Sequence, residues 1–579
     1  MKLDELLKEQ EKQRNIFTNK VIDSSSCKKV IVSGPGTGKT YLFDEILKKK
    51  KDRCLVLTFI NNLVCKLEED LKGRAVCCTF HSFSKSLLHK IKRKGLNDDF
   101  VFYPNLKLII ESDARMLLGE RLSFEHCFRR LGHSSKELRF FIEHSNYYNA
   151  VSFDDSVYRV IEHFKENPEQ IPEYEQILVD EYQDFNLLEV VFIDMLGTKS
   201  PLVIVGDDDQ ALYAQLKDAS ARYIRMKYID NQYEHFELPF CSRCTKVIVD
   251  AIEDVISIAK SMNKLTDRID KKYICFLPTK LEDSRKYPEI IHAHCSVQSD
   301  KAPYMAWFIK QEINKLTPKE VEEANKKGDY TVLITGPYHY LDQINSCLST
   351  EEKWSIEYKK TEPPPKKTTI LDGYRVLLNN DRFSNFGWRI IIENSFLKNQ
   401  KEVLREAVAE KKRLYDCLTK TVVKKHERIL ELLRQVKTSS CIDKREEKKL
   451  KSIFGKDIDD LRPCLQDYVK EERVKREDKD FNRMSVILTT YVGCKGISAG
   501  YVFAVGLNEG ILPRQNKNPN DMEICQFIVI LSRTIKKCHL LSVSYFGGNP
   551  AGFPSVFINW IDQKLIRKEK VDKEYWSSK

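Results

Sequence analysis

K-V-I-V-S-G-P-G-T-G-K-T, running from Lys29 to Thr40, decides how the chain is read. Val30, Ile31 and Val32 are β-branched and consecutive, the composition of a strand buried on both faces of a parallel sheet. Tyr41-Leu42-Phe43-Asp44-Glu45-Ile46-Leu47 follows with apolar residues at helical spacing. Strand, glycine-rich turn and helix together make the context of a phosphate-binding loop. Gly34, Gly36 and Gly38 would let the loop Gly34-Pro35-Gly36-Thr37-Gly38 curl and turn its backbone N–H groups onto an anion at the positive end of the helix. Lys39 reaches toward the outer phosphates, and the Thr40 hydroxyl suits Mg²⁺. Ser33 stands where the general pattern has glycine.

Four further apolar runs end in polar groups. R-C-L-V-L-T-F-I-N-N (Arg53 to Asn62) and A-V-C-C-T-F-H-S-F (Ala75 to Phe83) read as second and third strands. In open α/β sheets the ligand crevice lies beyond the carboxyl ends of the strands. Phe59, Asn61, Phe80 and His81 then fall on one working edge, where aromatics stack on single-stranded bases or belong to the core. E-Q-I-L-V-D-E-Y-Q-D (Glu175 to Asp184) ends a strand in two carboxylates. Asp180 is placed to hold Mg²⁺ through water, and Glu181 to orient or deprotonate an attacking water. P-L-V-I-V-G-D-D-D-Q-A-L-Y (Pro201 to Tyr213) brings three aspartates and Gln210 to the same edge. Such a gathering of aspartates needs a metal or hydrogen bonds, and Gln210 can sense a γ-phosphate.

Composition sets the frame. The 579 residues are too many for one core and imply three or four domains or subdomains. Lys and Arg number 96 against 85 Asp and Glu, a formal charge of +11 that is compatible with a polyanionic partner. No apolar run approaches the ~18 residues of a membrane span, and the N-terminus has no apolar core of signal-peptide length. The expectation is a cytoplasmic protein, no membrane partner, and 17 reduced cysteines. Cys241-Ser-Arg-Cys244 has zinc-like spacing without a second matching pair, and reads as structural or incidental.

Taken together, S-G-P-G-T-G-K-T, L-T-F-I-N-N, V-D-E-Y-Q-D and V-G-D-D-D-Q-A-L-Y resemble the motifs of the UvrD/Rep-type superfamily 1 helicases. The second half agrees in family order. L-P-F-C-S-R-C (Leu238 to Cys244) is similar to motif IV. V-I-L-T-T-Y-V-G-C-K-G-I-S-A-G-Y-V-F (Val486 to Phe503) is similar to motif V. E-I-C-Q-F-I-V-I-L-S-R-T (Glu523 to Thr534) is similar to motif VI. The resemblance implies an α/β fold of two RecA-like P-loop cores, each with an inserted, mainly helical subdomain. Residues 1–85 with 156–235 would form the first core and 86–155 its insertion. Residues 236–396 with 481–579 would form the second core, and 397–480 its charged insertion.

The resemblance also implies roles. Gln13 would read adenine, and Glu509 would lie near the ribose. Lys39 and Thr40 would bind phosphate and Mg²⁺, with Asp180 as metal ligand and Glu181 as base. Gln210 would couple the γ-phosphate to the strand site, and Arg243 and Arg533 would enter from the second core as arginine fingers. Thr58, Phe59, Asn61, Thr79, His81, Tyr213 and Thr490 would touch single-stranded DNA. The activity implied is ATP-driven 3′-to-5′ movement on single-stranded, tailed or forked DNA. Departures fall on the DNA side more than the ATP side: Ser242 replaces an aromatic that would stack on adenine, Ala214-Gln215-Leu216-Lys217-Asp218 replaces an aromatic-Arg-Gly run, and Val492 replaces a histidine. They leave open a second reading, an ATP- and DNA-sensing switch that partners a nuclease or other effector in repair or anti-phage defence. In the remaining chain, Val247 to Ser261 reads as an amphipathic helix and Tyr330 to Gly336 as a buried strand. Glu362-Pro363-Pro364-Pro365-Lys366-Lys367 reads as an extended loop, and Asp372 to Ile392 as short strands and turns.

Overall fold

The computed structural model describes residues 3–577 apart from 52, 59–63, 65–66, 69–70, 72, 92–93, 125, 132–134, 214–216, 297–302, 327, 351–353, 360–367, 396–398, 439–441, 467–482, 516–517 and 547–548. Six strands form the first sheet: β1 (Lys28–Ser33), β2 (Cys54–Thr58), β3 (Val76–Thr79), β4 (Gln176–Val179), β5 (Leu202–Gly206) and β6 (Glu234–Leu238). Their order is β3-β2-β4-β5-β1-β6 and every pairing is parallel. The continuous β-branched run in β1 is explained by burial on both faces. Val30 and Val32 join one core with Leu55, Leu57, Ile177 and Val179. Ile31 points the other way, into a core with Val56, Leu178, Val203, Val205 and the helix that follows the loop, Lys39–Lys48.

The second sheet has seven strands: β7 (Ile290–Cys295), β8 (Tyr330–Thr335), β9 (Trp354–Lys359), β10 (Met484–Thr489), β11 (Ala499–Val505), β12 (Thr534–Val543) and β13 (Ile566–Val571). The order is β9-β10-β8-β11-β12-β7-β13, again parallel throughout. Large parallel sheets covered on both faces, each with a helical insertion, match the two-core architecture expected. The helix read at 247–261 is Lys246–Ser261.

Two expectations are corrected. The strand read as Ala75 to Phe83 stops at Thr79, whose hydroxyl accepts from the Ser82 N–H and caps a helix, Phe80–Leu88. Phe80 is therefore core, packed between Phe185 and Phe192, and not on the working edge. Asp372 to Ile392 is not strand and turn but two helices, Ile370–Asn379 and Asn385–Asn394. A capping box of Thr369 and Asp372 starts the first, and the Ser384 hydroxyl caps the second. The pair meets where Gly373 faces Gly387: a Cβ on Gly373 would lie 2.8 Å from the Gly387 carbonyl oxygen. These helices join those beyond 397, so the second helical unit begins at Ile370. The Glu362 to Lys367 loop lies outside the described residues.

The two helical units share one core. Tyr103, Leu106 and Tyr148 of the first pack in a continuous cluster with Tyr374, Phe386 and Leu404 of the second. At its centre the Arg389 guanidinium meets Asp113 at 2.6 Å, both fully buried, and the Tyr148 hydroxyl donates to the other Asp113 oxygen at 2.6 Å.

Candidate active site

Every functional side chain of the first core hangs from the carboxyl end of a strand. β1 runs into the loop, where Gly36 adopts φ +72, a left-handed conformation that L side chains rarely take. A Cβ on Gly36 would also strike the Cβ of Arg243, so glycine is required twice over. β4 delivers Asp180 and Glu181. Glu181 itself sits at φ +54, strained for a side chain that gains nothing from it locally. It is held by its neighbours: Lys39 Nζ at 3.2 Å and the Gln183 amide at 2.6 Å, while Gln183 Oε1 accepts from the Asp207 N–H at 3.0 Å.

Charge is unevenly distributed over this pair. Burial and the neighbouring Glu181 push the Asp180 carboxyl up to about 6. Burial would raise Glu181 as well, but Lys39 and Lys495 outweigh it and hold Glu181 well below the usual carboxylate range. Lys39 is raised, since Glu181, Asp180 and Asp207 outweigh its own burial. The result is an ionised Glu181 beside a lysine, and a buried Asp180 without a cation of its own.

The Mg²⁺ ligands can be tested on Asp180. Its Oδ1 accepts from the Glu181 N–H at 2.9 Å, and among the described residues nothing donates to its other oxygen. One uncommitted carboxylate oxygen on Asp180, with the half-buried Thr40 hydroxyl as a second oxygen donor, fits a hard divalent cation. The aspartates Asp207, Asp208 and Asp209 do not need one. Their carboxylates lie within 4.8 Å of one another, but the Lys271 ammonium pairs with all three at 2.9, 2.6 and 2.7 Å. Arg268 adds a pair with Asp209 at 2.8 Å and Arg225 one with Asp208 at 3.1 Å. The gathering that read as metal or hydrogen bonding is an ion-pair cluster whose cations come from later in the chain.

The second core closes the site from above. The Ser242 N–H donates to the Gly36 carbonyl at 2.9 Å, and the Tyr273 hydroxyl to the Pro35 carbonyl at 2.8 Å. Arg533 Nη2 donates to Gln210 Oε1 at 2.8 Å. Lys495 Nζ pairs with Asp184 at 2.5 Å and also donates to the Gln210 carbonyl. Burial, then Arg243, pushes the Arg533 guanidinium below its ordinary value. The guanidinium of Arg243, whose Cβ rests on Gly36, makes no hydrogen bond or ion pair among the described residues. Gln210 is thus gripped at both its carbonyl groups, side chain and backbone, by cations of the other core. Lys495 and Tyr273 are the contacts sequence reasoning did not assign here; the only signal was a lysine in G-C-K-G after β10.

Other expected residues fall as follows. Gln13 is exposed on the helix Leu3–Asp23 and donates to Glu9 at 2.9 Å, so nothing brings it to the loop. On the same helix Gln10 is buried, bonded to the Cys275 carbonyl and the Leu277 N–H, and Arg14 lies over the Phe276 ring, 4.5 Å from its centroid. Arg14 Nη2 is also 3.3 Å from where a Gly38 Cβ would stand. Glu509 touches residues 552 and 553 of its own core, its N–H donating to the Phe553 carbonyl. Thr58 is fully buried, its hydroxyl without a hydrogen-bond partner among the described residues. Thr79 is committed to its cap, and the Thr490 hydroxyl to the Gly493 N–H. His81 lies 3.7 Å from Asp154 and edge-on to Phe153. Tyr213 carries the Lys495 ammonium over its ring. Phe59, Asn61 and Ala214 to Leu216 lie outside the described residues.

A family profile described as an AAA domain matches residues 17–215. The ATP-dependent DNA helicase Rep of Buchnera aphidicola is 22% identical over 594 residues, spanning 85% of this chain and 88% of its own. The ATP-dependent DNA helicase PcrA of Staphylococcus aureus is 21% identical over 644 residues, spanning 94% of this chain and 85% of its own. The chain is a homologue of the UvrD/Rep-type superfamily 1 helicases. A probable DNA helicase II homolog of Mycoplasma genitalium is similar in the same way, 22% identical over 92% of this chain. The likeness to these helicases runs across both sheets and both helical units.

Proposed function

We propose that the protein is an ATP-dependent DNA helicase that moves 3′ to 5′ along single-stranded DNA. The observation that carries this is Gln210, bonded at once to Arg533 and Lys495 of the second core while standing at the edge that bears Lys39, Asp180 and Glu181. A group that contacts both cores at the phosphate end of the cleft converts nucleotide state into core separation, which is what a motor on a strand requires.

Lys39 and the loop N–H groups hold the phosphates of ATP. Thr40 and Asp180 hold Mg²⁺, which when bound neutralises phosphate charge. Glu181, kept ionised by Lys39 and Lys495, orients the attacking water and accepts its proton. Arg243 and Arg533 meet the charge that develops on the transferred phosphoryl group, so hydrolysis proceeds only in the closed cleft. Thr58, Thr79, His81, Tyr213 and Thr490 are the described residues that would meet single-stranded DNA. No described helix is long and apolar enough to cross a membrane.

The test is ATPase turnover with and without single-stranded DNA, followed by a 3′-tailed duplex unwinding assay. Stimulation by DNA, abolished in Lys39→Ala and in Glu181→Gln, is expected. Equal turnover with and without DNA refutes the motor, and unwinding only of 5′-tailed duplex refutes the direction.

A further inference from the structure

The Cys241-Ser-Arg-Cys244 pair finds no zinc partner among the described residues, yet its setting is not that of inert core cysteine. Arg243 stands between the two thiols. Cys241 Sγ accepts from the Tyr273 hydroxyl at 3.1 Å and from the Cys244 N–H at 3.4 Å. Cys244 Sγ lies 3.9 Å from the same hydroxyl and 3.6 Å from the Ser532 carbonyl, next to Arg533. On its other side Cys241 Sγ is 3.3 Å from where a Gly36 Cβ would stand. The two sulfurs therefore sit at the seam between the phosphate loop and both arginines.

We propose that Cys241 and Cys244 form a peroxide-sensitive dithiol that, once oxidised to a disulfide, uncouples the arginines from the phosphate loop. The inference rests on the ATPase reading above for its consequence, not for its chemistry. Cys241 is the attacking sulfur. Although burial acts against ionisation, hydrogen bonds from the Cys244 thiol, the Tyr273 hydroxyl and two backbone N–H groups hold its thiol down to about 6. Cys244 is pushed the other way, so it is the resolving partner. The Cys241 thiolate displaces hydroxide from hydrogen peroxide, breaking the O–O bond and becoming a sulfenic acid. The Cys244 sulfur then displaces the sulfenic hydroxide, losing its proton to it, and the S–S bond forms. Two thiols and one peroxide give one disulfide and two waters, with two electrons passing from sulfur to oxygen.

Both thiols are fully buried while the cleft is closed, Cys241 beneath Gly36 of the opposite core. Peroxide reaches them only when the cores part, so nucleotide that closes the cleft protects them. The disulfide pinches the ends of the loop that carries Arg243. It also pulls Cys244 Sγ off the Ser532 carbonyl, the anchor beside Arg533.

The experiment treats the purified full chain with hydrogen peroxide, with and without a non-hydrolysable ATP analogue. It follows disulfides by peptide mass mapping and ATPase turnover in parallel. Expected are a 241–244 cross-linked peptide, slowed by the analogue, and a turnover loss of roughly tenfold or more, restored by dithiothreitol. Cys244→Ser, whose hydroxyl can keep the hydrogen bond to the Ser532 carbonyl, should keep the turnover of the reduced protein and form no 241–244 cross-link under peroxide. A cross-link to Cys275 instead, no cross-link at all, or a 241–244 cross-link with unchanged turnover overturns the proposal. Because the peptide map is read without ATP hydrolysis, a failed ATPase reading would still show the cross-link.

Discussion

Replacing Lys495 with methionine keeps the length of the side chain and removes its charge. Lys495 is 6% exposed and Asp184, its partner at 2.5 Å, is fully buried, its second oxygen without a partner among the described residues. Stripping one member from such a pair costs about 3–5 kcal/mol, because the remaining charge is left buried. Asp184 belongs to the first core and Lys495 to the second, so the cost falls on the closed cleft rather than on either fold. That is a shift of about 10² to nearly 10⁴ in the closing equilibrium. The structure also supplies an escape. Burial already pushes the Asp184 carboxyl up to about 6, even with Lys495 beside it. Without the lysine it rises further in the closed state, while the open state leaves it near an ordinary carboxylate. The closed state then binds more protons, so closure strengthens as pH falls through that raised value and weakens as pH rises. DNA-stimulated ATPase of Lys495→Met should therefore be severely depressed at pH 8 and partly recover toward pH 6, and adding Asp184→Asn should flatten that profile. Melting temperature should change little. A variant with wild-type turnover at every pH would refute the claim that this bridge sets closure.

Arg389→Met should destabilise the paired helical units by about 3–5 kcal/mol in urea unfolding, and adding Asp113→Leu should recover most of the loss. Lys271→Met leaves three buried aspartates sharing charge, and should lower the melting temperature more at pH 8 than at pH 5. His426, buried against the Tyr374 hydroxyl, is pushed down to about 4 by burial, so protonation opposes the fold. Stability from this group is complete above its ordinary value near 6.5 and is lost as pH falls toward 4. Melting curves from pH 7 to pH 4.5 should fall less steeply for His426→Gln.

The sheets were legible because their signal is local: unbroken β-branched runs announce burial on both faces, and polar ends announce the crevice. The phosphate loop, Asp180 and Glu181 were legible for the same reason. Asp372 to Ile392 was misread because Val376 to Leu378 and Ile390 to Ile392 look like short strands until Gly373 is seen against Gly387, an approach with no trace in either segment alone. The aspartate cluster could not be interpreted without Lys271, a cation more than sixty residues downstream. Gln13 was chosen by motif, whereas which side of a helix faces a cleft is decided by the partner, here residues 275–277 that grip Gln10.

The shared core of the helical units has a mechanical consequence. Two bodies joined at one point can swing in any direction, but these cores are tied at two separated places, at the cleft and through Arg389 and Asp113. Opening of the cleft that keeps the outer tie intact must then be a pivot, with the helical units as its fixed end and the phosphate loop at the end that travels.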